Sequence, residues 1–307
     1  MPLLFFEGRQ AKMDDTKRTE CFASLYLWIV MNIIPNAPKF LLLFVRYSFI
    51  MDMKIWQMGG VSMGEVITVL SGKGGTGKTS VCAALACALA EENKRVLCID
   101  CDVGLRNLDI SLGLMQLGAL NFVDVCQRGY ELGYATDHPD YPSLRFLTAP
   151  VNFSAADVDQ SSFVAMLMTA REDYDYILLD APAGVDSGFL LATRYSDRIL
   201  LVTNSDPAAM RDAKQTGEVL ELMGKNQIRL IVNRVNRRYA AAVGLTIDDI
   251  MDHTALPLIG IVPEDLKVPL AAANGTPLLR FNRRSQAAAA CRRIAKRLMG
   301  HPVPISL

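Results

Sequence analysis

A chain of 307 residues, 51 % hydrophobic and 21 % charged, has room for one large or two small folded domains and excludes disorder, collagen and coiled coil as its main architecture. Thirty-two Lys plus Arg balance thirty-two Asp plus Glu, so the chain as a whole is no generic polyanion binder. The balance hides an uneven distribution: residues 63–265 hold seventeen basic against twenty-seven acidic residues, whereas eight basic residues and no acidic one follow Asp265.

Residues 1–62 differ in character from the rest. Two apolar runs, 22–34 and 40–51, are separated by Pro35, Asn36, Pro38 and Lys39, and each is shorter than the ~20 residues of a membrane-spanning helix. A short anchor, a re-entrant hairpin or an upstream regulatory element would be functional readings of this stretch. The codons for Gly59-Gly60 can spell a purine-rich ribosome-binding sequence just upstream of Met63. We therefore expect the natural start at Met63 and treat 1–62 as an extension, with 63–307 as the working domain.

From Val66 the chain alternates short apolar runs with helical stretches, the pattern of a mostly parallel sheet of about seven or eight strands with helices on both faces. Strands are predicted at Val66–Leu70, Val96–Ile99, Leu144–Thr148, Tyr176–Leu179, Arg198–Thr203, Ile228–Val232 and Leu258–Val262. Their near-continuous apolar character suits strands buried on both faces. Helices are predicted at Lys78–Glu91, Ala155–Asp173, Pro207–Met223, Thr246–Asp252 and Gln286–Met299. Seven cysteines lie scattered in apolar stretches and read as reduced, packed thiols. Cys98 and Cys101 form a CxxC, but a separation of three along a strand points their side chains to opposite faces, and the three histidines have no ligand spacing, so a zinc site is not expected.

The first predicted strand runs into Gly72-Lys73-Gly74-Gly75-Thr76-Gly77-Lys78-Thr79, followed by Ser80 and a helix, which matches G-x-x-x-x-G-K-[ST] in its required context. The glycines let backbone N–H groups face phosphate oxygens, and the helix N-terminus adds partial positive charge. Lys78 would neutralise the β- and γ-phosphates and Thr79 would ligate Mg²⁺. The second strand ends in Asp100-Cys101-Asp102, two carboxylates facing the crevice where such sheets bind ligands. One can hold metal-bound water and the other can orient the attacking water. The apolar strand Tyr176–Leu179 ends in Asp180, whose charge is costly there unless it meets Mg²⁺ or its water shell, as in a Walker B.

Lys73 inside the phosphate loop departs from an ordinary P-loop, and GKGGTGKT resembles the deviant Walker A of the MinD/ParA group of P-loop ATPases. The resemblance runs over about residues 64–304. It extends to the 100–109 stretch, which is similar to that group's D-x-D-x-G-L-R-N-L-D switch I, and to Asp180-Ala181-Pro182-Ala183-Gly184, similar to its D-x-P-A-G switch II. It implies a P-loop ATPase fold with ATP and Mg²⁺ as cofactors, and an ATP-sandwiched homodimer in which Lys73 reaches the partner subunit's nucleotide. It assigns water positioning to Asp102 and a Mg²⁺-side role to Asp100. Asn233-Arg234 and Pro263-Glu264-Asp265 match the positions that hold adenine in that group, where Asn233 would hydrogen-bond the base and Pro263 would pack on its face. The intact G-L-R-N-L-D favours the MinD branch over ParA-type partition ATPases and flagellar-number regulators. That branch implies division-site placement, a division-regulator partner that is MinC-like or linked to MinE or DivIVA, and a cytoplasmic protein peripheral on the inner membrane face, with DNA an unlikely ligand. The chain lacks the amphipathic targeting helix expected past Pro304. The helix over 287–299 offers Cys291, Ile294, Ala295, Leu298 and Met299 on one face and Arg292, Arg293, Lys296 and Arg297 on the other. One reading is a last core helix with a solvated basic face; the other is a basic face that meets anionic lipid, which would give ATP-dependent but weak, salt-sensitive association through the two copies of a dimer.

Overall fold

The computed structural model describes residues 63–103, 106–115, 117–151, 153–184 and 187–306. Contacts divide the chain between Ser62 and Met63, and the apolar runs at 22–34 and 40–51 lie outside the described residues. Among those described, no helix is long and apolar enough to cross a membrane.

In chain order the first half runs β1 (Glu65–Ser71), α1 (Lys78–Glu91), β2 (Val96–Asp100), α2 (Leu108–Leu112), α3 (Phe122–Arg128), β3 (Thr136–His138), β4 (Tyr141–Leu147) and α4 (Gln160–Asp173). The second half continues β5 (Tyr176–Ala183), α5 (Ser187–Arg194), β6 (Arg198–Thr203), α6 (Pro207–Leu222), β7 (Ile228–Val235), α7 (Arg237–Val243), α8 (Ile247–Thr254), β8 (Leu258–Pro263), α9 (Lys267–Ala273), α10 (Leu278–Phe281) and α11 (Gln286–Leu298). The strands form one sheet in the order β3-β4-β2-β5-β1-β6-β7-β8, parallel except for the β3–β4 pair.

The apolar runs behave as strands buried on both faces must. Along β1, Val66 and Leu70 join one apolar layer with α4, α5 and α6, whereas Ile67 and Val69 join the other with α1 and α11. Cys98 and Cys101 likewise divide between the two layers, so the CxxC makes no pair. The near neighbour of the Cys98 thiol is Cys82, with Sγ atoms 3.9 Å apart. Helix α1 is buried nearly all round, which explains its lack of an amphipathic stripe.

The strand that sequence reading missed, β3, is three polar residues held at the sheet edge by antiparallel pairing and by an Arg145–Asp137 ion pair of 2.7 Å. Sequence periodicity has nothing to detect in so short a run. His138 closes the strand. It is 2 % exposed, its Nδ1 accepts from the Asp140 amide at 3.1 Å, and its Nε2 lies 2.9 Å from the Leu112 carbonyl. Those partners require the neutral ring with the proton on Nε2.

Helix α11 packs Cys291, Ile294, Ala295 and Leu298 onto the sheet, close enough that a Cβ at Gly260 in β8 would lie 2.3 Å from Ile294 Cγ1. The basic face expected to be solvated is instead bonded. Arg292 pairs with Glu91 at 2.6 Å and Lys296 with Glu92 at 3.4 Å. Arg293 donates to the Ser306 carbonyl at 3.0 Å, and Arg297 donates to the carbonyls of Ile259, Val303 and Pro304. Arg292 and Lys296 thus tie α11 to the end of α1, and Arg293 and Arg297 hold the segment 303–306 against the domain.

Burial lowers the His138 pKa from its ordinary 6.5, so its neutral form contributes stability above about pH 6.5 that is lost as the pH falls through the lowered folded value. Urea unfolding at successive pH values should therefore show wild type losing more stability than His138→Gln between pH 6.5 and pH 5. Parallel curves for the two proteins would contradict the assignment.

Candidate nucleotide site

The sheet order places β1 at the centre, with its C-terminal end between those of β5 and β6, and the loops leaving these strands line one crevice. The phosphate loop fills it. Gly77 begins α1 with φ +89° and caps it with no side chain, whereas α4 and α6 are capped by the carboxylates of Asp159 and Asp206. The first N–H groups of α1 are thus left open to an anion. Gly75 also has φ +79°, a conformation L side chains resist. Gly72 is glycine for a different reason: a Cβ there would lie 2.4 Å from the Asp212 carbonyl of α6.

A cavity of about 600 Å³ opens above this loop, lined by Gly74, Gly75, Thr76, Gly77, Lys78, Thr79, Ser80 and Asp102. Val103, Asn107 and Ser111 from the α2 side, Pro182, Ala183 and Gly188 from the β5–α5 side, and Arg234 also line it. Val103, Asn107, Pro182 and Ala183 belong to the two switch-like stretches read from the sequence, whereas Ser111 in α2 and Gly188 in α5 carry no local signal until the fold brings them there. Gly104, Leu105, Val185 and Asp186 lie outside the described residues.

At the cavity floor Lys78 Nζ donates to Asp180 Oδ1 at 2.6 Å, with Lys78 6 % and Asp180 1 % exposed. Burial pulls the lysine pKa down, but the Asp180 charge and hydrogen bond outweigh it and leave the ammonium raised. Burial raises Asp180 in turn, against the pull of Lys78. Asp100 sits opposite Asp180 in the β2–β5 register. Burial, then the Asp180 charge, pushes Asp100 up to about 7. Both Asp100 oxygens accept backbone N–H groups, from Asp102 at 2.9 Å and Leu108 at 3.2 Å, so this carboxylate shapes the loop that carries Asp102.

Three carboxylates around one lysine make the floor electron-rich, and Asp180 Oδ2 and Thr76 Oγ1 are buried without a hydrogen-bond partner. Orphaned oxygens of this kind fit a cation and its water shell. Among the described residues no group of three or more His, Cys, Asp or Glu could hold a metal alone. The donor set suits Mg²⁺, which binds through one or two protein oxygens together with substrate phosphates and keeps its waters. Thr79 and Asp180 would hold it.

A second cavity of about 380 Å³ adjoins the first and is lined by Asn233, Pro263 and Glu264 together with Gly77, Ser80 and Arg234. The three residues expected at the base are therefore brought together beside the phosphate loop. Asn233 also has a role that sequence reading did not anticipate: its Nδ2 donates to the Thr76 carbonyl at 2.8 Å, tying the loop to β7. Lys73 does not line either cavity. Its Nζ lies 3.6 Å from Asp206 Oδ1, with the lysine side chain 43 % exposed, so it is directed away from the phosphate cradle of its own chain.

Residues 67–278 match the family described as the CobQ/CobB/MinD/ParA nucleotide binding domain. The septum site-determining protein MinD of Synechocystis is 36 % identical over 244 residues, covering 79 % of this chain and 92 % of its own length. That of Bacillus subtilis is 34 % identical over 249 residues, covering 80 % and 92 %. Among solved structures, the MinC:MinD cell division protein complex of Aquifex aeolicus superposes with a TM-score of 0.73 at 34 % identity, over 80 % of this chain and 99 % of that one. MinD of Pyrococcus horikoshii complexed with Mg-ADP gives 0.68 at 28 % identity, over 77 % and 96 %.

Asp180→Ala would strand the buried Lys78 ammonium. Removing one partner of such a pair costs about 3–5 kcal/mol. Urea unfolding of the nucleotide-free protein should show a loss of that order, and a change below about 1 kcal/mol would mean that water reaches the pair.

Proposed function

Because the chain belongs to the CobQ/CobB/MinD/ParA nucleotide-binding family, we propose that it is a MinD-type ATPase that hydrolyses ATP to ADP and phosphate and acts in division-site placement. The observation that carries this reading is the uncapped α1 N-terminus set over the buried Lys78–Asp180 pair. Together they offer a phosphate cradle and a carboxylate that calls for a cation. Support for the division role comes from the relatives, which are septum site-determining proteins, one of them solved in complex with MinC.

In this reading Lys78 neutralises the β/γ oxygens while the α1 N-terminus and the glycine backbone position the phosphates. Mg²⁺ supplies charge neutralisation between the phosphates when bound. Asp102 lies in the cavity close enough for its charge to act on Lys78, and it orients the water that attacks the γ-phosphate in line, accepting a hydrogen bond from that water. The γ-phosphorus–oxygen bond to ADP breaks as the new bond to water forms. Catalysis is then mainly positioning and electrostatics.

ATP joins two copies of the chain, and Lys73 leaves Asp206 to reach the nucleotide of the second copy. The dimer presents the surface that a MinC-like regulator binds, and it works in the cytoplasm and peripherally on the inner membrane face. Since the α11 cations are engaged within the domain, lipid association through them is weak. Met63 marks the beginning of this ATPase unit.

Two variants test the scheme. Asp102→Ala should retain ATP binding and lose turnover by at least about a hundredfold, and it should accumulate as a dimer with ATP. Lys73→Ala should fail to dimerise with ATP in analytical ultracentrifugation while its fold is unchanged. Wild-type hydrolysis by the Asp102 variant, or ATP-dependent dimers of the Lys73 variant, would remove these assignments. Sedimentation of the protein with anionic liposomes, compared between ATP and ADP, tests nucleotide, dimer and surface together.

A further inference from the structure

Eight cations and no carboxylate follow Asp265, and α11 engages four of them within the domain. The other four, Lys267, Arg280, Arg283 and Arg284, lie on α9, on α10 and just after α10. They are far less answered. Arg280 lies 3.5 Å from Asp140 and Lys267 4.0 Å from Asp265. Arg283 and Arg284 are exposed, and their guanidinium groups have no hydrogen-bond or ion-pair partner among the described residues.

Beside these cations α9 turns an apolar face outward. A surface helix ordinarily buries its apolar side, and α9 does so only at Ala271 and Val268. Leu266, Pro269, Leu270 and Ala273 follow the i, i+3, i+4, i+7 spacing of one helical face, and all four are exposed, Leu266 by 78 % and Leu270 by 52 %. Helix α10 packs on α9 and ends in the exposed Phe281. Asp265 draws the cations to the same place: its Oδ2 accepts from Ser285 Oγ at 2.7 Å, which brings Leu266 and Arg284, the chain neighbours of the bonded pair, into one neighbourhood. Leu266 and Pro269 also line the second cavity, but Leu270, Ala273 and Phe281 lie outside both cavities, so a bound nucleotide does not account for their exposure.

We propose that the α9–α10 surface is a docking face for an anionic lipid bilayer, with Leu270 and Phe281 entering the headgroup–acyl boundary and Lys267, Arg280, Arg283 and Arg284 lying among the lipid phosphates. Charge and apolar surface together select this occupant. A nucleic acid would answer the arginines and leave the leucines in water, whereas an anionic bilayer answers both. The proposal deepens the peripheral-membrane part of the reading above, on which it rests for its cellular meaning, and it moves the contact from α11 to α9 and α10.

The test is sedimentation of the full, nucleotide-free chain with vesicles of phosphatidylglycerol and phosphatidylcholine in equal parts, and with vesicles of phosphatidylcholine alone. Wild type should pellet with the anionic vesicles only and be released as salt rises from about 0.1 M to about 0.5 M. Leu270→Gln, and Arg283→Gln combined with Arg284→Gln, should each weaken binding by at least about tenfold. Lys296→Gln in α11 should bind as wild type does. These surface changes should leave the melting temperature within about 2 °C of wild type and ATP hydrolysis in solution unchanged. Equal pelleting with phosphatidylcholine, or binding untouched by the α9–α10 variants, would overturn the face. Loss in the arginine variant alone would make it a general polyanion contact and overturn the bilayer assignment. Vesicle binding through this face by a chain that hydrolysed no ATP would remove the ATPase reading and leave the face standing.

Discussion

The unsatisfied N-terminus of α1 is the constraint around which the rest of the site is arranged. A helix end with no capping side chain leaves backbone donors and a partial positive charge pointing into solvent, and here that end is placed at the mouth of the central strand. Gly77 makes this open end, since its left-handed φ turns the chain into the helix without a side chain that could close it. Against these donors the floor supplies carboxylates in excess of its single lysine. An anion alone would meet Asp180 unfavourably, and a cation alone would meet the helix end unfavourably. A magnesium nucleotide answers both at once, which is why the two halves of the site make chemical sense only together.

Loop geometry depends on crowding as much as on flexibility. Gly72 is pressed on α6 and Gly77 on Asn233, so these two glycines are points of close approach, and the phosphate loop is braced from β7 and α6. The Asn233 amide therefore serves the loop from within the second cavity. This mechanical tie joins the cradle to the cleft, and a change in one is felt directly in the other. Asp100 plays the corresponding part on the opposite side, where its two backbone hydrogen bonds hold the start of the segment that carries Asp102.

At the far end of the fold, α11 illustrates how a charge pattern misleads when read alone. Four cations on one helical face look like a surface for anions. In the folded chain Arg297 donates to three backbone carbonyls, Arg292 and Lys296 neutralise the acidic end of α1, and Arg293 secures the final residues. The local positive charge is largely answered within the domain, and little of it is offered to a phosphate-rich surface.

From the sequence alone came the three-layer α/β class, seven of the eight strands, the phosphate loop, and Asp100, Asp102 and Asp180 as the acidic groups of the site. These were legible because each is written in neighbouring residues: apolar runs of strand length, a glycine spacing before a lysine, a carboxylate after a dry strand. Asn233, Pro263 and Glu264, which line the second cavity, were legible as base-site candidates only through family resemblance, as nothing local distinguishes them from ordinary strand-end loops. Tertiary structure alone decided the polar edge strand β3, the walls contributed by Ser111 and Gly188, the internal engagement of the α11 cations and the strained outward turn of Arg234. Each of these depends on partners distant in sequence, such as Arg145 across a hairpin, Glu91 beside Arg292, or Thr76 beneath Asn233. A residue's neighbours in sequence fix its propensity, but the free energy of a charge or a strained turn is set by the groups that surround it in space.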